Sequence, residues 1–183
     1  MALNIVYQGK TVTDLDVIIR YPVRTDLGQL HLFINRLSKE QTYIRFQGEE
    51  ISLKDEKMYL NSLLNKIKTK KAISLLAFHQ NELIGSTDIV MQEKVENHIG
   101  IFGIVVARLF RNRGVGRILM EKILNEAEKN LQDLKTITLG VFSSNNIARS
   151  MYKKFGFKEF GKLPRGLKYR GKLEDHFYMY RNK

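Results

Sequence analysis

Three arginines, an asparagine and two glycines fall together in Arg111-Asn112-Arg113-Gly114-Val115-Gly116-Arg117, the first grouping in this sequence that could do chemistry. An apolar stretch, Asn97 to Val106, precedes it. A repeat in steps of four, Leu119, Ile123, Ala127 and Leu131, follows it, so the grouping reads as a loop from a strand into a helix beginning near Gly114. Glycine lets a ligand approach the backbone closely, and the unpaired N–H groups of a helix's first turn point outward with the positive dipole end behind them. The chemistry is anion capture, and a diphosphate suits it.

Two familiar phosphate motifs do not fit. A P-loop needs Lys-Ser or Lys-Thr after its second glycine, where this chain has Arg117-Ile118. A dinucleotide fingerprint needs a third glycine or alanine where Leu119 stands, and an acidic residue about 20 positions on, where Phe142, Ser143 and Ser144 stand. Other reaction centres are missing as well. His31, His79, His98 and His176 are scattered, there is no cysteine and no H-E-x-x-H, so no metal is expected. Nor is there a G-x-S-x-G elbow for a serine hydrolase.

A second grouping lies downstream, Asn145-x-x-Ala148-x-x-x-Tyr152-x-x-x-Gly156-Phe157. Read by periodicity alone, Met151, Tyr152 and Phe155 make a packing face on a short helix. Taken together, however, Arg111-x-x-Gly114-x-Gly116 and the Asn145 to Tyr152 spacing resemble the GNAT superfamily of N-acetyltransferases, whose pyrophosphate signature is Gln or Arg followed by x-x-G-x-G or x-x-G-x-A. The resemblance covers about Ala72 to Phe160 and reaches the first seventy residues only through element order. It implies acetyl-CoA as cosubstrate and an amine as acceptor. It also implies that the backbone of Ile104, Val105 and Val106 pairs with the pantetheine arm and that amides from Arg111 to Arg117 hold the diphosphate. Asn145 and Tyr152 would sit near the thioester, and Tyr152, with an ordinary phenol pKa near 10, would give a proton to the departing thiolate. The glutamate that such enzymes often use as base has no counterpart, since its positions correspond to Gly100 and Gly140. Asp88, Glu93, Glu96, His98 and Asp175 remain as candidates within reach of the cleft. The missing glutamate motivates a second reading, a catalytically inactive CoA-binding module of the same fold.

The elements that would position these residues follow from patterning. Leu3 to Tyr7 and Asp16 to Arg24 read as strands, and a helix capped by Thr25 or Asp26 carries Leu27, Leu30, Phe33, Ile34 and Leu37. Another starts at Ser52, with Asp55 three residues on, and ends in Lys66, Lys68, Lys70 and Lys71, cations placed to meet the helix dipole. Ala72 to Phe78 and Leu83 to Val90 form a hairpin about Gln80-Asn81. Thr136 to Val141 is a strand, Asn145 to Phe155 a helix stopped by Gly156, and Phe157 to Tyr180 mostly strand with turns at Arg165-Gly166 and Arg170-Gly171. Alternation from Asp175 to Tyr180 reads as an edge strand. The expected class is α/β (α+β), a GNAT-like mixed, mostly antiparallel central sheet flanked by helices on both faces. Residues 1–183 form a single domain, with 1–13 an N-terminal strand extension.

Composition bounds the rest. A chain of 183 residues can bury one sizeable core, and no apolar run reaches the roughly 18 residues of a membrane span. Met1 to Lys10 lacks the layout of a secretory signal, so the expected location is cytoplasmic, with no membrane partner. The net charge of +12 biases the surface toward anions. A nucleic-acid-binding domain rests on that charge alone, has no RNA-binding signature, and ranks last. The oligomeric state stays open, although homodimers are common among proteins of this kind.

Overall fold

The computed structural model describes residues 4–183. In chain order the elements are β1 (Ile5–Lys10), β2 (Asp16–Arg20), α1 (Leu27–Lys39), α2 (Leu53–Lys68), β3 (Ala72–His79), β4 (Glu82–Met91), β5 (Ile99–Val106), α3 (Val115–Asn130), β6 (Thr136–Phe142), α4 (Asn146–Lys154), β7 (Lys158–Tyr169) and β8 (Lys172–Asn182). The strands make one sheet, ordered β1-β2-β3-β4-β5-β6-β8-β7. Among the described residues only β5 and β6 run parallel. The expected mixed, mostly antiparallel sheet is therefore observed.

Register places the helices. A Cβ on Gly85 of β4 would meet Leu119 and Val115 of α3, whereas Asp88, three residues along, accepts a hydrogen bond from Tyr59 of α2. Side chains alternate across a strand, so α2 and α3 cover opposite faces. The α3 face is closed by Leu119, Met120, Ile123 and Ala127, each fully buried, on the apolar rows of β3, β4 and β5. The sequence repeat in steps of four is this buried stripe.

Several boundaries differ from the sequence reading, for physical reasons. Leu3 lies outside the described residues, and β2 ends at Arg20 because the Arg20 guanidinium turns to Asp26, with bonds of 2.6 and 2.8 Å. Asp26 stands at the N-cap position of α1, but its side chain makes no capping bond there. Its carboxylate is buried, holding Arg20 and accepting from the Val23 amide at 2.8 Å, and Thr25 sits within a short 3-10 turn. Ser52 does cap α2, accepting from the Asp55 amide at 3.1 Å. Arg165-Gly166 is not a turn. Arg165 has φ +56° within β7, where the pairing with β8 slips between Leu163 and Leu167, so a bulge bends a continuous strand. The turn at Arg170-Gly171 is present, with φ of +47° and +76°. The stretch Asp175 to Tyr180 is not an edge either: β8 pairs with β6 on one side and β7 on the other.

Candidate active site

The only parallel pair is also where the sheet opens. β5 and β6 pair from Ile99↔Thr136 to Ile101↔Thr138 and no further. Beyond that point the edge of β5 facing β6 has no partner strand, and the gap widens into a cleft of about 440 Å³. Ile104, Val105 and Val106 line one side of it; Gly140, Val141 and Phe142 line the other. Polar backbone left unpaired in this way seeks a ligand or water.

The arginine-glycine loop closes one end of the cleft. Arg111, Asn112, Gly114, Gly116 and Arg117 all face it. Asn112 and Gly114 have φ of +60° and +82°, and this left-handed pair turns the chain into α3, whose first turn lines the cleft at Gly116 and Arg117. The side chain of Val115 instead enters the core, 1% exposed, and that of Arg113 lies over the Phe110 ring at 6.0 Å. Arg111 is fixed within the protein: its Nε donates to the Val106 carbonyl at 2.9 Å and its Nη2 to Glu40 Oε2 at 2.6 Å. That bond ties the end of α1 to the loop. The β1–β2 connection holds the loop from behind, with Thr13 donating to the Arg113 carbonyl at 3.0 Å and Val12 and Thr11 packed against Gly114. A Cβ at Gly114 would meet them at 3.0 and 3.2 Å, so this glycine serves the fold. Gly116 is different. A Cβ there would make only ordinary 3.8 Å contacts with Met151 and Val106, leaving open space above the first turn of α3.

The second motif forms the facing wall. Asn145 caps α4, accepting from the Ala148 amide at 3.2 Å, and lines the cleft. Tyr152 is 7% exposed and packs edge-on to Phe102, with centroids 5.9 Å apart at 84°. It is a packing residue and a cleft residue at once. Its hydroxyl makes no side-chain hydrogen bond among the described residues, and burial pushes its pKa up to about 12 rather than the ordinary 10. The phenol therefore stays protonated throughout the neutral range.

The five candidate bases separate clearly. Glu93, Glu96 and His98 lie in the β4–β5 connection, at the far end of β5 from the cleft; five residues of strand, about 17 Å, divide His98 from Gly103. Asp175 is occupied by Lys162 at 3.2 Å and the Arg165 amide at 2.9 Å, which hold its carboxyl below the usual range. Asp88 alone stands where the strands part, paired in register with Gly103. Burial raises its pKa to about 6 despite the Tyr59 hydroxyl, which donates to it at 3.3 Å.

Gly100 and Gly140 have packing reasons of their own. A Cβ at Gly100 would come 2.6 Å from Ile89 and 3.0 Å from Leu134, and one at Gly140 2.1 Å from His176 Nε2. His176 thus fills the space over Gly140. Sequence reasoning also missed the aromatic cluster of Tyr43, Phe142 and Tyr169, with centroids 4.9 to 5.5 Å apart, which joins the α1–α2 loop to the β7–β8 hairpin beside the cleft. Its members are 99 and more residues from Tyr43, and no local spacing connects them.

Comparison with known proteins gives the family. Residues 34–157 match the sequence model of the Acetyltransferase (GNAT) family, and the chain belongs to that family. It is similar to an L-amino acid N-acetyltransferase of Escherichia coli, 32% identical over 110 residues that cover 60% of this chain and 67% of that protein. It is also similar to the ribosomal protein bS18-alanine N-acetyltransferase of Salmonella typhimurium, 29% identical over 66% of this chain and 64% of that one. Among solved structures, a GNAT-family acetyltransferase from Streptococcus pneumoniae superposes with a TM-score of 0.83 at 27% identity, over 91% of this chain and 99% of that one.

Proposed function

We propose that this protein, acting as a single domain, transfers the acetyl group of acetyl-CoA to an amine by direct attack in a ternary complex. The observation that carries the reading is the cleft between β5 and β6, which ends on the first turn of α3 and is walled by Tyr152. The unpaired edge of β5 at Ile104, Val105 and Val106 offers its backbone to the pantetheine arm. Amides from Asn112 to Arg117, Arg113, Gly114, Val115 and Gly116 included, hold the diphosphate, and Arg117 adds charge at the mouth; the Arg111 amide instead donates to the Arg108 carbonyl at 3.3 Å, and Arg111 serves by bracing the loop. Asn145 orders the wall beside the thioester by capping α4.

In this reading the amine nitrogen attacks the thioester carbonyl carbon and a C–N bond forms. Negative charge gathers on the carbonyl oxygen, where an amide of β5 freed from strand pairing stabilises it. The C–S bond then breaks, and the sulfur takes the Tyr152 proton. A phenol near 12 is a weaker acid than a thiol near 8.5, so the Tyr152 hydrogen bond strengthens first as charge develops on sulfur, and the proton's transfer is drawn to completion by solvent returning a proton to the tyrosine. The relatives are named for amines of an amino acid and of a ribosomal-protein alanine, which supports an amino-group acceptor here.

The test is thiol release from acetyl-CoA with pools of polyamines, amino acids, aminoglycosides and peptides, beside calorimetric titration of CoA. Release with one pool is the expected result and gives the acceptor class. Tight CoA binding with no release from any pool would favour the inactive CoA-binding module, and no CoA binding would overturn the proposal.

A further inference from the structure

Asp88 and His176 rise from the same face of the sheet on either side of the parting strands. Asp88 pairs with Gly103 and His176 with Phe142, while the last β5–β6 pair, Ile101↔Thr138, fixes Gly103 and Gly140 two residues further along on that same face. Each glycine is the floor under a titratable side chain. A Cβ on Gly103 would stand 3.1 Å from Asp88 Oδ1, as one on Gly140 would stand 2.1 Å from His176 Nε2. Tyr152 approaches from the other face, where it packs on Phe102. A thioester carbonyl between β5 and β6 would therefore have a phenol on one side and a carboxylate with an imidazole on the other.

We propose that Asp88, held by Tyr59 and facing His176 across Gly103 and Gly140, receives the acceptor as an ammonium ion and takes its proton; this rests on the acetyltransferase reading above. Charge supports it. In a chain of net charge +12, neither Asp88 nor the buried Glu56 behind Tyr59 has a basic partner within salt-bridge distance among the described residues. Glu56 has His31 acting on it, whereas Asp88, lying over Gly103 where β5 leaves β6, is the carboxylate left to receive a cation. Beyond His176 the same face continues as Tyr178, Tyr180 and the exposed Phe160, with ring centroids 4.4 to 6.2 Å apart, an aromatic surface that suits an ammonium next to a flat apolar group.

The protons balance as follows. One leaves the ammonium for Asp88 and passes to water on the open face before attack. A second moves to Asp88 as the C–N bond forms, while Tyr152 gives one to sulfur as the C–S bond breaks. Exchange with water restores both side chains, and one proton per turnover is released. The groups around Asp88 are Tyr59 and Glu56 from α2 and Ser74 from β3, with His31 of α1 acting on Glu56; His176 and Tyr178 of β8 share the face on the other side of the gap. Burial lowers the His176 pKa, so the imidazole is neutral at pH 7 and does not compete for the carboxylate. Burial sets the Asp88 carboxyl near 6, with the Tyr59 bond pulling it down. Activity should fall as pH drops through that value, because the protonated carboxyl cannot accept.

The experiment compares unaltered protein with Asp88→Asn and Tyr59→Phe, using the same four amine pools as probe and following kcat/KM against pH. Asp88→Asn should lose about 100-fold in kcat/KM and its acidic limb while binding CoA as before, which also reports folding. Tyr59→Phe should keep activity at high pH but move the acidic limb upward, a change that a merely structural role for the tyrosine would not produce. If the unaltered protein turns over and Asp88→Asn matches it with the same acidic limb, the assignment of Asp88 is wrong and the acetyltransferase reading stands. Should no pool support release by the unaltered protein, it is that reading which fails, and the assignment with it.

Discussion

At the scale of single residues, the places of Tyr152 and Gly116 on the cleft were legible in the sequence because both motifs are local: residues 111 to 117 and 145 to 157 are continuous stretches, and a loop or short helix presents them together. Tyr152→Phe keeps the packing on Phe102 and removes only the hydroxyl. It should lower kcat about 100-fold with CoA affinity unchanged, in thiol release and calorimetry side by side. Unchanged turnover would remove its role as donor. Gly116 gives a prediction of opposite kind. Since the protein leaves room there, Gly116→Leu should fold with an unaltered melting temperature yet lose at least about tenfold in CoA affinity, because the side chain takes the space over the α3 amides. Asp88 was not separable from four other acids and histidines in the sequence. Only strand register sets it beside Gly103, and register is a long-range property. Gly140 misled for the same reason: 36 residues further on, His176 returns over it, so a position that reads as a lost base is an occupied one.

Elements were read correctly where one strong local signal governs them. The left-handed Gln80-Asn81 turn, with φ of +48° and +65°, fixes the β3–β4 hairpin, and Ser52 fixes the start of α2. They were misread where a tertiary partner competes. Asp26 has the residue type of a cap, but a buried arginine six residues back claims it with two bonds, and Phe78 stacks on that guanidinium at 4.2 Å. This pair joins β2 to the start of α1 and thereby sets the helix whose end carries Glu40 to Arg111. Asp26→Ala should leave Arg20 buried without its partner and cost about 3–5 kcal/mol, read as a lower midpoint in urea unfolding. Arg20→Met combined with Asp26→Ala should cost much less than Asp26→Ala alone, since no unpaired charge then remains inside. Equal losses would mean that packing on Phe78, not the charge, is what the pair supplies.

For the whole molecule, a mixed sheet with helices on both faces followed from element order and the family resemblance, but the strand order did not, since the interior β8 reads as an edge; the net charge did not point to a partner either, because charge says how ligands approach and not where they bind. The two can be separated here. CoA is a polyanion, and a surface of net charge +12 should speed its encounter, but the diphosphate in the proposed site is held by backbone amides in a cleft, where screening is weak. Raising ionic strength from about 0.1 to about 1 M shortens the screening length from about 10 to about 3 Å. The association rate of CoA, measured by stopped flow, should then fall about tenfold or more, while its dissociation rate stays nearly constant. If salt instead accelerates dissociation, exposed lysines and arginines, not the α3 amides, hold the phosphates. Gly116→Leu carries the same surface charge, so its association rate should keep the same salt slope even as its dissociation rate rises. Steering would then belong to the surface, and retention to the turn that opens α3.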